Sequence, residues 1–156
     1  MGIENLDILA NSNERGMLVE RNILELLKSL DYVKSVRQTT KDGPEDKEKI
    51  DLVVELDSDK KKLYVSEISV QVKASTTGAT TFRRDMRQIL KDENFGENLT
   101  INEWMVRNRI ILLIGDVRIS RSRKTRWPIT EEEIRISFEN QLGLIDDYQR
   151  KNYSLD

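Results

Sequence analysis

The stretch that decides the fold is residues 49–75, which read KIDLVVELDSDKKKLYVSEISVQVKAS. In residues 50–56 apolar side chains alternate with Asp51 and Glu55, and in residues 63–75 the even positions are mostly apolar while the odd positions from Glu67 onward are polar. Such alternation has the two-residue period of a β-strand. The intervening DSDKKK is typical of a turn. The stretch therefore predicts two antiparallel strands with a shared polar face, as in a half-exposed hairpin.

Upstream of this hairpin, residues 14–30 have the apolar spacing of an amphipathic helix and residues 32–40 the pattern of a strand. When the helix is plotted at about 100° per residue, Glu20 falls inside its apolar arc. Because a charged group is rarely buried without a partner, Glu20 either faces a cationic group or lies at the edge of the arc and reaches water. The charged segment 41–49 that follows the strand predicts a solvated loop.

Downstream of the hairpin, an amphipathic helix follows Thr81, which is a candidate N-cap. The apolar run of residues 109–115 predicts a strand buried on both faces. Thr100 and Thr130 each precede a Glu by three positions, which is the capping-box spacing that opens a helix. The second of these helices ends the chain, and Gly143 is a candidate break in it. The predicted fold class is therefore α/β with a mixed sheet.

Composition bounds the domain organisation and the chemistry. A chain of 156 residues suits a single domain over residues 1–156, with a core at about 14–116 and a basic segment and C-terminal helix at 117–156. The absence of Cys and His excludes disulfides, thiol nucleophiles, histidine bases and thiolate or imidazole zinc sites. A metal site would have to use oxygen ligands, which favour Mg²⁺, Mn²⁺ or Ca²⁺.

The expected location of the protein is the cytoplasm. No stretch of the sequence approaches the roughly 20 apolar residues that span a bilayer. The start, MGIENLDILANSNERG, lacks the basic and apolar regions of a secretion signal. We therefore expect no membrane association.

Four residues form the constellation that carries chemistry. Gln71 and Lys73 are two apart on a strand, so their side chains project from one face. Asp51 lies on the neighbouring strand and can reach them if the register is right. A helix packed over that face would bring Glu20 onto the group. The alternative is that Asp51 and Lys73 form only a cross-strand ion pair.

With these residues at these positions, the chain resembles the PD-(D/E)XK nuclease superfamily. The motif residues are Glu20, Asp51, Gln71 and Lys73, within the phrases KIDLVVEL and VQVKAS. The resemblance covers about residues 16–75 and implies a restriction-endonuclease-like α-β-β-β-α-β core, with which the helix and the buried strand that follow are compatible. Two positions depart from the family pattern: Ile50 replaces the Pro, and Gln71 replaces the second acidic residue.

The resemblance also implies roles for these residues around Mg²⁺ or Mn²⁺. Asp51 is the principal metal ligand, Glu20 is a second ligand directly or through water, and Gln71 offers its amide oxygen. The backbone carbonyl of Val72 can complete the ligand set. Lys73 orients or deprotonates the attacking water, or stabilises phosphate charge. Because an amide adds no charge, Gln71 implies weaker metal binding than the family's acidic residue would give.

Two basic segments are the candidate nucleic-acid-binding surface, because Lys and Arg bind phosphates and an indole can stack on a base. The alternative is that the second of them is an ordinary solvated loop. The candidate residues are Arg83, Arg84, Arg87, Arg118, Arg121, Arg123, Lys124, Arg126 and Trp127.

The leading hypothesis is therefore a Mg²⁺- or Mn²⁺-dependent endonuclease whose expected substrate is DNA. A second hypothesis is a degenerate nuclease-fold module that binds nucleic acid or a protein without cleaving. A third is a structural or interaction subunit in which the motif is coincidental. The resemblance also makes a homodimer an expectation, because two sites can then act on two strands.

Overall fold

The computed structural model describes residues 12–39, 51–92, 99–120, 122 and 124–153. The predicted loop 41–49, the motif residue Ile50 and the basic residues Arg121 and Arg123 lie outside these ranges. In the described ranges the chain has a five-stranded mixed sheet with helices on both faces. The predicted α/β class with a mixed sheet is confirmed at this level.

The elements follow the order helix, three strands, helix, strand that the sequence predicts, with short additions. The additions are a single-turn helix after β2 and a three-residue edge strand, whereas the helices that follow Thr100 and Thr130 are predicted. In chain order the elements are α1 (Ser12–Lys28), β1 (Val33–Gln38), β2 (Leu52–Leu56), α2 (Ser58–Lys61), β3 (Glu67–Ser75), α3 (Thr76–Asp92), α4 (Ile101–Arg107), β4 (Ile110–Ile119), β5 (Arg126–Pro128) and α5 (Glu131–Tyr153).

The strands lie in the order β1-β2-β3-β4-β5, and only the β3–β4 pair is parallel. In the β2–β3 hairpin Leu52 is the partner of Val70, which places Asp51 beside Gln71 just before β2 begins. Gln71 and Lys73 of β3 lie beside Leu112 and Ile114 of β4. The predicted hairpin is therefore present, in the register that the constellation needs.

The larger core lies between the sheet and α1. Buried apolar side chains of β2, β3 and β4 pack there against Val19, Ile23 and Leu27, and Phe138 and Leu142 of α5 close the same cluster. The approach is closest at Gly115, where an added Cβ would lie 2.5 Å from Cγ1 of Val19. The sequence has a glycine here because no side chain fits between β4 and α1.

A second cluster fills the other face of the sheet. Phe82 and Met86 of α3 and Met105 of α4 pack there against Ile110 and Leu112 of β4. At its Gln71 end the polar face of the hairpin is covered by α3, whereas Glu55 and Glu67 at its other end are exposed, so the predicted half-exposed face is found only there. Buried strands between two helical layers can carry polar side chains when those side chains bond each other.

The ends of the helices follow the predicted caps in two cases and differ in two others. Thr100 and Thr130 accept the backbone N–H groups of Glu103 and Glu133, as the capping-box spacing predicts. Thr81 is not an N-cap, because α3 begins directly after β3 at Thr76. Gly143 does not break α5, which continues through it to Tyr153.

Two side chains of α5 tie that helix to the sheet. The amide of Gln141 donates to the carbonyl of Leu112 at 2.8 Å and accepts its N–H at 3.0 Å, as a neighbouring strand would. The buried carboxylate of Asp146 accepts the N–H groups of Tyr64 and Val65 at 2.6 and 3.2 Å. The helix thereby covers the edge of β4 and fixes the segment that leads into β3.

Among the described helices none combines the length and the apolar character that a membrane span requires.

Candidate metal and phosphate site

Asp51 lies at the point where β2 begins and is the centre of the candidate site. Its Oδ2 accepts the backbone N–H of Val72 at 2.8 Å and the amide Nε2 of Gln71 at 2.9 Å. Its own N–H donates to the carbonyl of Val70 at 3.0 Å, and its carbonyl accepts the N–H of Thr39. The backbone and the carboxylate of Asp51 are thus fixed by β3 before any ligand is present.

Gln71 is almost completely buried, with 3% of its surface exposed. Its Nε2 is bonded to Asp51, but its Oε1 is buried without a hydrogen-bond partner. A buried acceptor with no partner carries a cost of about 1–3 kcal/mol. An unpartnered amide oxygen next to a carboxylate is therefore a suitable ligand for a hard cation.

The carbonyl of Val72 points toward the same edge of β3. In an extended strand the N–H and C=O of one residue point to the same side, and the N–H of Val72 is bonded to Asp51. The paired residues of β2 and β3 end at Leu52 and Val70, so Val72 lies beyond the region in which the two strands are paired. The Val72 carbonyl therefore faces the side on which the Asp51 carboxylate lies.

Glu20 approaches from α1. Its Oε1 accepts the amide Nε2 of Gln38, at the end of β1, at 3.2 Å. Burial raises the pKa of the Glu20 carboxyl, the negative charge of Asp51 raises it further, and the Gln38 hydrogen bond partly opposes both effects. Glu20 and Asp51 therefore lie close enough to repel each other, and their mutual repulsion would be relieved by a cation between them.

The path by which Glu20 reaches the group differs from the sequence prediction. We expect a helix over the face that carries Gln71 and Lys73, but α1 packs on the opposite face, against Val70 and Val72. The physical reason is that the apolar arc of α1 and the apolar face of β3 are both removed from water when they pack together. Glu20 is nevertheless within electrostatic range of Asp51, whose negative charge raises the pKa of the Glu20 carboxyl.

Lys73 lies on the α3 side of the sheet. Its Nζ is 5.7 Å from the centre of the Phe82 ring, and a Cβ added at Gly78 would be 3.6 Å from its Cβ. A cation held over an aromatic face is stabilised by the ring quadrupole. At this distance an added Cβ would be in ordinary van der Waals contact, so the aliphatic part of Lys73 runs directly along α3 at Gly78.

The donors that the structure brings together are two carboxylates, one amide oxygen and one backbone carbonyl. Among the residues described, no three Asp or Glu side chains form a cluster that could hold a metal ion, and the chain has no His or Cys. The set is oxygen-only, which suits Mg²⁺ or Mn²⁺ better than zinc. With two acidic groups rather than three, it carries less charge than the family motif implies.

The basic side chains of α3 lie on its other flank. At about 100° per residue, Arg87 is about 180° around the helix from Gly78, which faces Lys73. Arg83 and Arg84 lie on the same side as Arg87. Arg84 and Arg87 are exposed, and Arg83 is half-buried. The structure therefore does not bring these arginines together with Lys73.

The second basic segment forms the edge of the sheet. Arg118 is the strand partner of Trp127, and 50% of the Trp127 surface is exposed. The guanidinium of Arg118 lies 3.1 Å from the carboxylate of Glu133. Lys124 and Arg126 are exposed. Part of this segment, which the alternative interpretation takes as a solvated loop, is therefore the short strand β5. Arg118, one of the candidate phosphate-binding residues, is paired with the carboxylate of Glu133.

Two side chains at the site are absent from the sequence prediction. Gln38 orients Glu20, and Phe82 lies under the Lys73 ammonium. Gln38 is a polar residue at the end of a predicted strand, and its contact with Glu20 cannot be predicted unless the packing of the helix on that strand is known. Phe82 belongs to the amphipathic helix that the sequence predicts, and its contact with Lys73 depends on where that helix packs.

Comparison with protein-family models, with curated proteins and with solved structures finds no match for this chain.

Proposed function

We propose that this chain is a Mg²⁺- or Mn²⁺-dependent nuclease of the PD-(D/E)XK type, with DNA as its substrate. The observation that carries the proposal is the joint placement of Asp51, Gln71 and Glu20 at the open end of the β2–β3 hairpin. The unpartnered oxygen of Gln71 and the repulsion between the two carboxylates both favour a bound cation. We also propose a restriction-endonuclease-like topology for the fold, which is compatible with the order of its elements.

Each residue of the site has a distinct role in this proposal. A bound divalent cation supplies Lewis-acid activation of water and stabilises charge on phosphate. Asp51, Glu20, the amide oxygen of Gln71 and the carbonyl of Val72 would hold it. The hydrogen bonds from Gln71 and Val72 keep the Asp51 carboxylate in one orientation. Lys73 places a positive charge on the same strand and can orient water or stabilise the scissile phosphate.

The test is cleavage of supercoiled plasmid DNA in Mg²⁺, in Mn²⁺ and in EDTA. We expect metal-dependent nicking by the wild type, and a loss of at least about a hundredfold in Asp51→Asn and Lys73→Met. Asn at position 51 keeps an oxygen that can accept the Val72 N–H, so this variant should fold. Glu55→Gln and Lys34→Met remove one charge from exposed positions on β2 and β1 and serve as matched controls.

Circular dichroism and thermal unfolding establish that each variant is folded before its activity is compared. Nicking that persists in EDTA, or that is equal in Asp51→Asn and wild type, would contradict the proposal. Equal loss in the Glu55→Gln and Lys34→Met controls would show that the effect is one of overall charge.

A second candidate function is binding of nucleic acid without cleavage. The observation that favours it is the amide at position 71, where the family motif has an acidic residue. The Nε2 of Gln71 donates a hydrogen bond to the Asp51 carboxylate. Under this alternative the wild type shifts DNA in a gel without cutting it, and Gln71→Glu is the informative variant. A gain of cleavage in Gln71→Glu would indicate a weakened metal site, whereas no metal binding in either form would indicate a non-catalytic module.

A further inference from the structure

A cleft of about 320 Å³ lies between α3 and α5 above the end of β4. This volume is at the lower end of the range of roughly 300–1,000 Å³ that small-ligand pockets occupy. Its walls come from elements that are distant in sequence, so a ligand here would contact two helices and the sheet at once. No residue of the Asp51 site lines it.

The cleft combines an apolar floor with two cationic groups. Leu112, Ile114 and Ile134 line its inner part, while Arg83 from α3 and Arg118 from β4 line its polar part. A flat apolar group would be desolvated on such a floor. Guanidinium groups bind phosphate through parallel N–H donors and therefore provide affinity for an anion.

The charges around the cleft leave a positive balance. The hydrogen bond of Arg83 is to the neutral amide oxygen of Asn102, so that contact does not cancel its charge. Arg118 is paired with Glu133, at 3.1 Å, but more than half of its side chain is exposed, so it retains donors for a second acceptor. Of the other acidic groups in the first turn of α5, Glu132 is paired with Arg135.

The cleft and the Lys73 side chain lie on opposite flanks of α3. Gly78 and Phe82 of that helix contact Lys73, whereas Thr80 and Arg83 line the cleft. A ligand of the cleft would thus lie on the other flank of the helix from Lys73. Binding in the cleft can therefore be measured without a metal ion at the Asp51 site.

We propose that this cleft binds a nucleotide unit, with the base on the apolar floor formed by Leu112 and Ile114 and the phosphate between Arg83 and Arg118. The unit can be a free mononucleotide or one nucleotide of a single strand, since both present the same base and phosphate. The proposal stands whether or not the Asp51 site holds metal.

The experiment follows amide signals of the ¹⁵N-labelled full chain by NMR, in EDTA, during titration with AMP. Separate titrations use adenosine, inorganic phosphate and a short oligodeoxyadenylate. We expect AMP to shift the signals of Thr80, Arg83 and Ser137 while that of Glu20, on the opposite face of the sheet, stays in place. We expect adenosine and inorganic phosphate each to bind more weakly than AMP, because each lacks one half of the recognised group.

The variants Arg83→Gln and Arg118→Gln are each expected to weaken AMP binding about tenfold. The matched control is Arg21→Gln, which removes the same charge from an exposed position of α1 outside the cleft and should change the affinity less than about twofold. Tighter binding of the oligonucleotide than of AMP would assign the site to a strand, and the reverse would assign it to the free nucleotide. Either result supports the proposal.

Three outcomes would overturn the proposal. One is the absence of shifts in the cleft at millimolar AMP and oligonucleotide. Another is equal weakening in all three arginine variants, which would indicate charge alone. The last is binding of inorganic phosphate as tight as that of AMP, which would show that the apolar floor is not used.

Discussion

The carboxyl of Glu20 is the single group whose ionisation reports most directly on the candidate site. Because burial and the charge of Asp51 raise its pKa, the folded chain binds a proton there at a higher pH than the unfolded chain does. Stability therefore falls as the pH rises through the interval between the unfolded and folded pKa values. The site is less stable with both carboxylates ionised than with one of them neutral.

Glu20→Gln tests this linkage. We expect the variant, measured in EDTA, to be more stable than the wild type at neutral pH and to lose that advantage as the pH is lowered below the carboxyl pKa. The measurement is urea unfolding across the acid to neutral range. A variant that is less stable at neutral pH would show that the Gln38 contact outweighs the repulsion from Asp51.

Gln71→Glu tests the role of the neutral amide. Without metal, the substitution removes a donor to Asp51 and buries a further negative charge, so we expect a loss of roughly 1–3 kcal/mol of stability. With Mg²⁺ or Mn²⁺ the added charge should strengthen binding, and the melting temperature should rise more than that of the wild type. Thermal unfolding in EDTA and in Mg²⁺ gives both numbers, and an equal metal response would contradict the assigned role.

The distance between α1 and the sheet is limited at Gly115 of β4. A Cβ at position 115 would lie 2.5 Å from Cγ1 of Val19 and 2.8 Å from Cδ1 of Ile23, so it would push the helix outward. Glu20 follows Val19 directly in sequence. A change in β4, on the far side of β3 from Asp51, would therefore be transmitted to the candidate site through the helix.

Gly115→Ala is expected to destabilise the protein by about 1–3 kcal/mol, because it overpacks the α1 contact. It should also change the pKa of Glu20, which can be followed by NMR titration of the carboxyl. The matched control is Gly16→Ala, at an exposed helical position with no neighbour within 4 Å of an added Cβ. That control should stabilise the protein by roughly 0.5–1 kcal/mol. Similar destabilisation in both variants would contradict the packing argument.

Considered as a whole, the chain has a net charge of −2, yet Arg83, Arg84 and Arg87 lie together on one side of α3 and Arg118 and Arg126 at the sheet edge. Any binding to DNA would therefore be local and would weaken steeply with salt. We expect the logarithm of the binding constant, measured by fluorescence anisotropy in EDTA, to fall linearly with the logarithm of salt concentration. Arg87→Gln should reduce the slope by about one if Arg87 contacts a phosphate. A slope unchanged by that substitution would remove α3 from the binding surface.

The sequence predicts the parts of this molecule that depend on local pattern. The alternation around Asp51 and Gln71 predicts the hairpin but leaves its register open, and Thr100 predicts the start of a helix. The alternation of β3 does not show which helix covers which face, because both layers come from distant segments. For the same reason the Arg118–Glu133 pair is not predictable. The place of Glu20 in an apolar arc indicates that its carboxylate needs a partner, but neither its observed partner, the amide of Gln38, nor the face from which it approaches is predictable.

The Gln141 amide, bonded to both backbone groups of Leu112, has a consequence for how copies of this protein meet. A strand whose outer N–H and C=O groups are unsatisfied invites another chain to extend the sheet and begin a fibril. Over residues 110–115, ahead of the short pairing with β5, this side chain stands where such an intruder would have to bond. The hydrogen bonds of Gln141 to Leu112 therefore oppose edge-to-edge association of β4 with a strand of another copy.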